Sequence, residues 1–213
     1  MKKTATILAA LALSMASSNA GVAPAPSGKS SPPPPPPPDP CAGPISYNNI
    51  ELLYANTDWN GSSGSADGGV LRGEYSPMTN LYLTAGAAYS TDDYADTWLL
   101  SAGIGGYMPL TENIHIAADG GILYSDVDFD NGNLTYGSSS ESDTGWYVRP
   151  HLRAKWGCLT VHAGALYTDI ADEDDWAWFA SVYYQLNANW DITAGYHDGD
   201  QFETITAGVR YRY

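Results

Sequence analysis

The stretch Trp146-Tyr147-Val148-Arg149-Pro150-His151-Leu152-Arg153-Ala154-Lys155-Trp156 alternates without a break. Trp146, Val148, Pro150, Leu152, Ala154 and Trp156 fall on one face of an extended chain, and Tyr147, Arg149, His151, Arg153 and Lys155 fall on the other. A period of two is the mark of a strand, here with one greasy and one charged face. Residues 176–186 repeat the pattern, Trp176, Trp178, Ala180, Val182, Tyr184 and Leu186 lying opposite Ala177, Phe179, Ser181, Tyr183 and Gln185. At the end of the chain, Val209, Tyr211 and Tyr213 alternate with Arg210 and Arg212.

Working outward, the same alternation predicts about ten strands, over residues 45–57, 69–76, 80–90, 97–108, 113–125, 145–156, 159–168, 176–186, 189–197 and 202–213. The connections alternate as well. Those at 58–68, 91–96, 126–144, 169–175 and 198–201 are longer or strongly acidic, whereas those at 77–79, 109–112, 157–158 and 187–188 are tight. Short turns at one end and long loops at the other belong to a transmembrane barrel, and about 9 to 11 tilted residues carry a strand across a bilayer. Hydrocarbon tolerates no open sheet edge, because unpaired backbone groups find no water there, so the sheet has to close. The expected fold is all-β: a closed antiparallel up-and-down transmembrane β-barrel of about ten strands, with eight as the alternative if two segments merge.

Composition agrees with that fold. The chain has 24 acidic against 9 basic side chains and a net charge of -15, which excludes a nucleic-acid partner. Its one apolar run approaching helical-span length, residues 6–15, is about half of what a transmembrane helix needs. With 16 Tyr and 7 Trp against 3 Phe, the aromatics are the kinds that want one wet end. Tyr89, Trp98, Tyr124, Trp146, Tyr167, Trp176, Trp178 and Tyr196 gather near the loop end, and Tyr75, Tyr107, Trp156, Tyr184, Trp190, Tyr211 and Tyr213 near the turn end. They read as two interfacial belts. Between the belts, Leu81, Leu83, Ala85, Ile114, Ile116, Ile122, Leu159 and Val161 suit lipid tails.

The N-terminal segment is of another kind. Met1-Lys2-Lys3 is a basic head, residues 6–15 are an apolar middle, and Ser18-Asn19-Ala20 offers a small-residue exit, so residues 1–20 read as a signal peptide. Residues 21–44 shift to Pro, Ala, Ser and Gly, with an unbroken run from Pro32 to Pro38. Such a run is a semi-rigid spacer of about 3 Å per residue, and it is expected to serve as a periplasmic tether for a barrel formed by residues 45–213.

In these features residues 45–213 resemble the small outer-membrane β-barrels of Gram-negative-type bacteria, the group that includes OmpA-like and OmpX-like barrels. The most specific mark is Thr206-Ala207-Gly208-Val209-Arg210-Tyr211-Arg212-Tyr213. It resembles the C-terminal signal read by the barrel-assembly machinery, with Gly208, Tyr211 and a terminal aromatic, Tyr213 standing where Phe is commoner. The resemblance implies residence in the cell outer membrane, contact with its lipid, and contact with the assembly machinery during biogenesis. Cys41 precedes the first strand and Cys158 occupies the third tight turn, so the topology puts both at the periplasmic rim. There an oxidising compartment favours a disulfide over two free thiols, and the bond would pin the tether across the barrel mouth.

The inward face collects Glu51, Arg72, Glu74, Tyr82, His115, Asp119, Arg149, His151, Arg153, Lys155, His162, Asp191, Arg210 and Arg212. In a small barrel that lumen is just wide enough for side chains to fill. Two readings follow: an interlocking ion-pair plug, or a narrow anion-preferring pore lined by Arg149, Arg153, Lys155, Arg210 and Arg212. The acidic outer loops either attract divalent cations or keep the surface solvated. Asp126, Asp128, Asp130 and Gly132 look like the start of a calcium loop, but Asn131 stands where that motif has Gly and Gly137 where it has Glu. A protease of the omptin type would draw on His197 and Asp198 at the rim, yet Gly195 occupies the place of the Asp in its Asp-x-His element. No Ser-His-Asp arrangement, phosphate loop or Cys/His metal spacing appears, so neither catalysis nor a cofactor is expected. The expected role is structural, adhesive or surface-interacting, with the anion-preferring pore as the alternative and the protease third.

Overall fold

The computed structural model of the protein describes residues 41, 43–59, 64–92, 95–129, 139–170 and 173–213. The proposed signal peptide and nearly all of the proposed tether lie outside these residues. Strands follow one another in the order β1 (Asn49–Trp59), β2 (Ser65–Met78), β3 (Leu81–Thr91), β4 (Ala95–Thr111), β5 (Ile114–Phe129), β6 (Ser139–Trp156), β7 (Leu159–Ile170), β8 (Glu173–Gln185), β9 (Trp190–Gly199) and β10 (Phe202–Arg212). Each pairs antiparallel with its sequence neighbours, and β1 pairs with β10 from Asn49↔Arg212 to Trp59↔Phe202, closing the barrel. The strand number is ten, not eight.

Alternation sorts the side chains as the sequence predicts. Glu51, Glu74, Tyr82, His115, Asp119, Arg153, Lys155 and Asp191 are buried inside, while Ile122 and Trp178 on the outer face are 68% and 70% exposed. Soluble monomers rarely expose a contiguous apolar patch above a few hundred Å², and each Å² of apolar surface costs about 25 cal/mol in water. A barrel girdled by Leu52, Leu71, Leu83, Leu100, Ile104, Ile116, Leu152, Val182, Ile192 and Ile205 belongs in hydrocarbon.

The tight turns fall at 79–80, 112–113, 157–158 and 186–189. Gly157 takes a φ of 57° beside Cys158, a left-handed conformation that glycine enters without a Cβ penalty. Gly208 is constrained differently. It sits opposite Leu53 at the β1–β10 seam, and a Cβ there would meet the carbonyl oxygen of Leu52.

Most strand boundaries shift from the sequence reading, and at two places the shift has a clear physical reason. Residues 45–48 do not begin β1; they belong to a segment running from Gly43 that buries Ile45 and Tyr47 instead of pairing. At the loop end the strands run on further than expected, so Asp96, Asp126, Asp128, Glu141 and Asp143 lie in paired β4, β5 and β6. Strand β6 has 18 residues and, even tilted, overshoots a hydrocarbon core of about 30 Å. Backbone pairing thus continues into the polar zone, where polarity of the side chains gives no signal of a strand's end.

Candidate functional site: the plugged lumen

Residues 43–49 carry the chain into the turn end of the barrel, and Tyr47 is the centre of what they do there. It is 3% exposed, its ring stacks on Tyr107 at 4.0 Å between centroids, and its hydroxyl is hydrogen-bonded to His115 Nδ1 at 3.2 Å. Arg153 lies over the other side of the ring, 4.2 Å from its centroid. With Ile45, Tyr82, Ala117 and Tyr107, Tyr47 forms a small apolar knot in an otherwise polar interior. Two fastenings hold the segment: Cys41 is joined to Cys158 by a disulfide, and Lys155 Nζ donates to the Gly43 carbonyl at 2.9 Å. The expected Cys41–Cys158 pairing is present, and Ile45 and Tyr47, shortly after Cys41, are buried in the barrel.

Above the plug the charges interlock. Arg153 donates from both terminal nitrogens to the two oxygens of Glu74, at 2.8 and 2.7 Å, and Asn49 Nδ2 adds a third bond at 3.0 Å. Arg149 Nε reaches Asp119 Oδ1 at 3.1 Å, where the Tyr82 hydroxyl also donates at 2.9 Å. Arg72 grips Glu51 through Nε and Nη2 at 3.1 and 2.5 Å. Nearer the turn end, Arg210 Nε donates to Asp191 Oδ2 at 2.6 Å and Arg212 Nη2 stands 3.2 Å from Asp191 Oδ1. His151 Nε2 accepts from Arg153 Nε at 2.9 Å, which assigns its proton to Nδ1, facing the Arg149 carbonyl at 3.1 Å. Charge-assisted, bidentate bonds of this kind offset the cost of removing ions from water. Arg153, Tyr82, Tyr183, Asn49 and Asp191 are the largest fully buried side chains among the described residues.

All fourteen inward candidates named from the sequence do face the lumen. Tyr107 does not keep its predicted place in the turn-end belt: it points inward, because its position in β4 shares a face with Gly105 and because Tyr47 lies there to stack upon. Tyr47 falls within the first expected strand, 45–57, and nothing in the sequence separates its plug role from that of a wall residue. Tyr89 with Trp98, Trp146 with Tyr167, and Tyr167 with Trp176 form the outer belt, and Trp190 with Tyr211 part of the inner one.

The described residues assemble neither of the two rim sites. Asp126 and Asp128 lie on β5 opposite Ser142 and Ser140, an extended backbone that cannot wrap a cation as a calcium loop does, while Asp130 and Gly132 fall outside the described residues. Among the described residues no three His, Cys, Asp or Glu side chains gather as a metal site. His197 points into the barrel and stacks on Phe179, whereas Asp198, the next residue, points out, so the two do not form the pair an omptin-type site needs.

Several loop-end carboxylates, Asp58, Asp67, Asp96, Asp128, Asp169, Asp174 and Asp198, instead share the outward face of their strands beyond the aromatic belt. Tyr54 donates to Asp67, and Tyr89 to Asp96 at 3.0 Å. Several stand directly opposite another acid on the next strand: Asp96↔Asp128, Asp169↔Asp174, and Asp58↔Glu203↔Asp198. At the other end, Tyr211 and Tyr213 of the C-terminal signature face outward at the turn-end rim.

No protein-family model and no curated protein matches the chain. Among solved structures it is similar to the N-terminal β-barrel domain of Pseudomonas aeruginosa OprF, at 11% identity over 78% of this chain and 98% of that one, with a TM-score of 0.44. It is also similar to Ail, the attachment invasion locus protein of Yersinia pestis, at 15% identity over 78% and 95% with a TM-score of 0.41. A third likeness is to the translocator domain of the autotransporter NalP from Neisseria meningitidis, at 10% identity over 79% and 89% with a TM-score of 0.47.

Proposed function

We propose that this chain is an integral protein of a bacterial outer membrane, with a sealed lumen and a structural or surface-interacting role carried by its acidic outer rim. The observation that carries this reading is the burial of the inward side chains: a plug fixed by Cys41–Cys158 and Tyr47 packs against a set of interlocked ion pairs. On this reading a barrel that conducts nothing offers its environment chiefly its two ends. The loop end faces outside, with its carboxylates solvated and exchanging divalent counter-ions. The turn end faces the periplasm, where residues 21–40 act as the tether. Tyr211, Tyr213 and Gly208 serve the assembly machinery during insertion.

Orientation is tested by labelling intact cells with a membrane-impermeant maleimide. Ser140→Cys, at the loop end, is expected to react, and Ala188→Cys, in the last tight turn, only after the outer membrane is opened. The reverse pattern would overturn the proposed topology.

A second reading, a narrow anion-preferring pore, is favoured by one observation: among the described residues the middle and turn end of the lumen carry Arg72, Arg149, Arg153, Lys155, Arg210 and Arg212 beside Glu51, Glu74, Asp119 and Asp191. It requires the plug to leave.

A further inference from the structure

The chain has 4 histidines, and three of them surround one arginine. His115 of β5 and His162 of β7 stand directly across from Arg153 on the two sides of β6, and His151 precedes it on the same inward face. All three imidazoles and the guanidinium are buried. Arg153 is also the side chain that lies over Tyr47 of the plug, 4.2 Å from its ring centroid, while clasping Glu74. The hold on the plug thus passes through a cation ringed by groups that can themselves become cations.

His151 cannot take a second proton and keep its present bonds. Its Nδ1–H faces the Arg149 carbonyl, and its Nε2 accepts from Arg153 Nε at 2.9 Å. A proton on Nε2 would set donor against donor and charge against charge. Asp119 Oδ1 stands 3.8 Å from Nδ1, the nitrogen that is protonated in either state, and it already receives Arg149 and the Tyr82 hydroxyl. His162 packs on the ring of Tyr183 at 4.5 Å between centroids, and its Nε2 is buried without a hydrogen-bond partner in the protein. Two further cations meet the same tyrosine: Arg210 of β10 lies 3.7 Å from its ring centroid, and Arg72 of β2 donates to its hydroxyl at 3.3 Å. His115 is bonded to the Tyr47 hydroxyl and stacks on Tyr107 at 5.4 Å. Lys155 is the next inward residue of β6 after Arg153. The carboxylates facing this group, Glu51, Glu74 and Asp119, are each already paired with an arginine.

We propose that this collar is an acid-sensitive latch: protons taken up by His151, His162 and His115 drive Arg153 off Tyr47 and let residues 43–48 swing out of the barrel on the Cys41–Cys158 hinge. In water an imidazole takes a proton below about pH 6.5, and the state that binds more protons gains population as the pH falls. With the plug in place the imidazoles are dry and crowded by arginines; with it out, water enters and they are free to charge. Release therefore grows as the pH drops through that range, by roughly tenfold per pH unit for each imidazole that takes its proton on release. The disulfide keeps the segment attached, so the step is reversible. The latch supplies the departure of the plug that the pore reading requires, but it rests only on the plug and its contacts, not on the membrane or on conduction.

The test is amide hydrogen exchange of the full barrel, disulfide intact, in a zwitterionic detergent at about pH 7.5 and about pH 5, either side of the histidine range. Exchange times are scaled for the intrinsic pH dependence of the amides. Protection of residues 43–48 is expected to fall by about tenfold or more at the lower pH, while β3 keeps its own. Glutamine can accept from Arg153 as His151 does but takes no proton, so His115→Gln/His151→Gln/His162→Gln is expected to keep the plug in place at both values. Should that variant fail to fold, the imidazole carbon signals of the unaltered barrel decide the matter: His151 is expected to titrate over the range in which protection is lost. Unchanged protection, a loss shared equally by β3, an equal loss in the glutamine variant, or a plug that leaves while His151 stays neutral overturns the latch.

Discussion

Arg153 joins Tyr47 to Glu74: its guanidinium lies 4.2 Å from the ring centroid of Tyr47 and clasps Glu74 with bonds of 2.8 and 2.7 Å. One side chain thereby joins the plug to the ion-pair network of the wall. The disulfide secures the outer end of the same segment.

Removing one member of the clasp is therefore expected to cost far more than removing both. Glu74→Gln leaves the Arg153 charge buried beside a neutral amide, and is expected to destabilise the barrel by about 3–5 kcal/mol. The double variant Glu74→Gln/Arg153→Met should recover a good part of that loss. Urea-unfolding midpoints of the two variants in the same detergent check this, and additive losses would contradict it.

Tyr47→Ala empties the stack with Tyr107 and His115 and removes the surface under Arg153. The expected cost is about 3–5 kcal/mol, the range for deleting a large buried aromatic. Hydrogen exchange should locate the change at the turn end, in the first residues of β1 and in β5 near His115, while β3 and β4 at the loop end keep their protection. A uniform loss of protection would mean that the plug is no separate unit.

Cys41 and Cys158 are 117 residues apart in sequence, so their bond removes much of the unfolded chain's freedom. For a loop on the order of 100 residues the chain-entropy estimate is about 4–5 kcal/mol. Cys41→Ser/Cys158→Ser is expected to lose stability of that order while still forming a barrel. Residues 41–48 should become susceptible to limited proteolysis from the turn end, a cleavage absent in the disulfide-bonded protein.

Gly208 separates two roles that the sequence alone merges. As part of an assembly signal it would matter only in cells, but the close approach of the Leu52 carbonyl oxygen makes it matter for folding itself. Gly208→Ala is expected to lower the refolding yield in detergent, with no machinery present, whereas Tyr213→Phe should refold like the natural chain. Equal yields for the two would return Gly208 to a signalling role alone.

The opposed acids offer a prediction of the opposite sign. Asp96 and Asp128 face each other across β4 and β5, and like charges so placed repel. Asp128→Asn is expected to stabilise the barrel by roughly 0.2–1 kcal/mol at low ionic strength, an effect that fades with added salt.

Most of the barrel was legible because alternation is forced twice over, by lipid outside and by ions inside. In 146–156 no other secondary structure sorts Trp146, Leu152 and Trp156 from Arg149, Arg153 and Lys155. The inward residues were legible for the same reason. Which carboxylate each cation takes was not, since Glu74 and Arg153 lie on β2 and β6 and meet only across the closed lumen. The plug was illegible for a different reason: Ile45 and Tyr47 alternate with Ser46 and Asn48, so the segment reads as the start of the first strand. Tyr107 was misplaced because an aromatic near a strand end signals a belt on whichever face it lies. The loop-end acids were assigned to loops because beyond the lipid both faces of a strand are wet, and polarity there no longer marks pairing.

Ionic current through the reconstituted protein tests the sealed lumen most directly. In a planar bilayer the disulfide-bonded barrel is predicted to give a flat baseline under applied voltage, and Cys41→Ser/Tyr47→Ala to give unitary steps that favour anions. Regular steps from the native barrel, unchanged by those two substitutions, would show that the lumen is open and that the plug closes nothing.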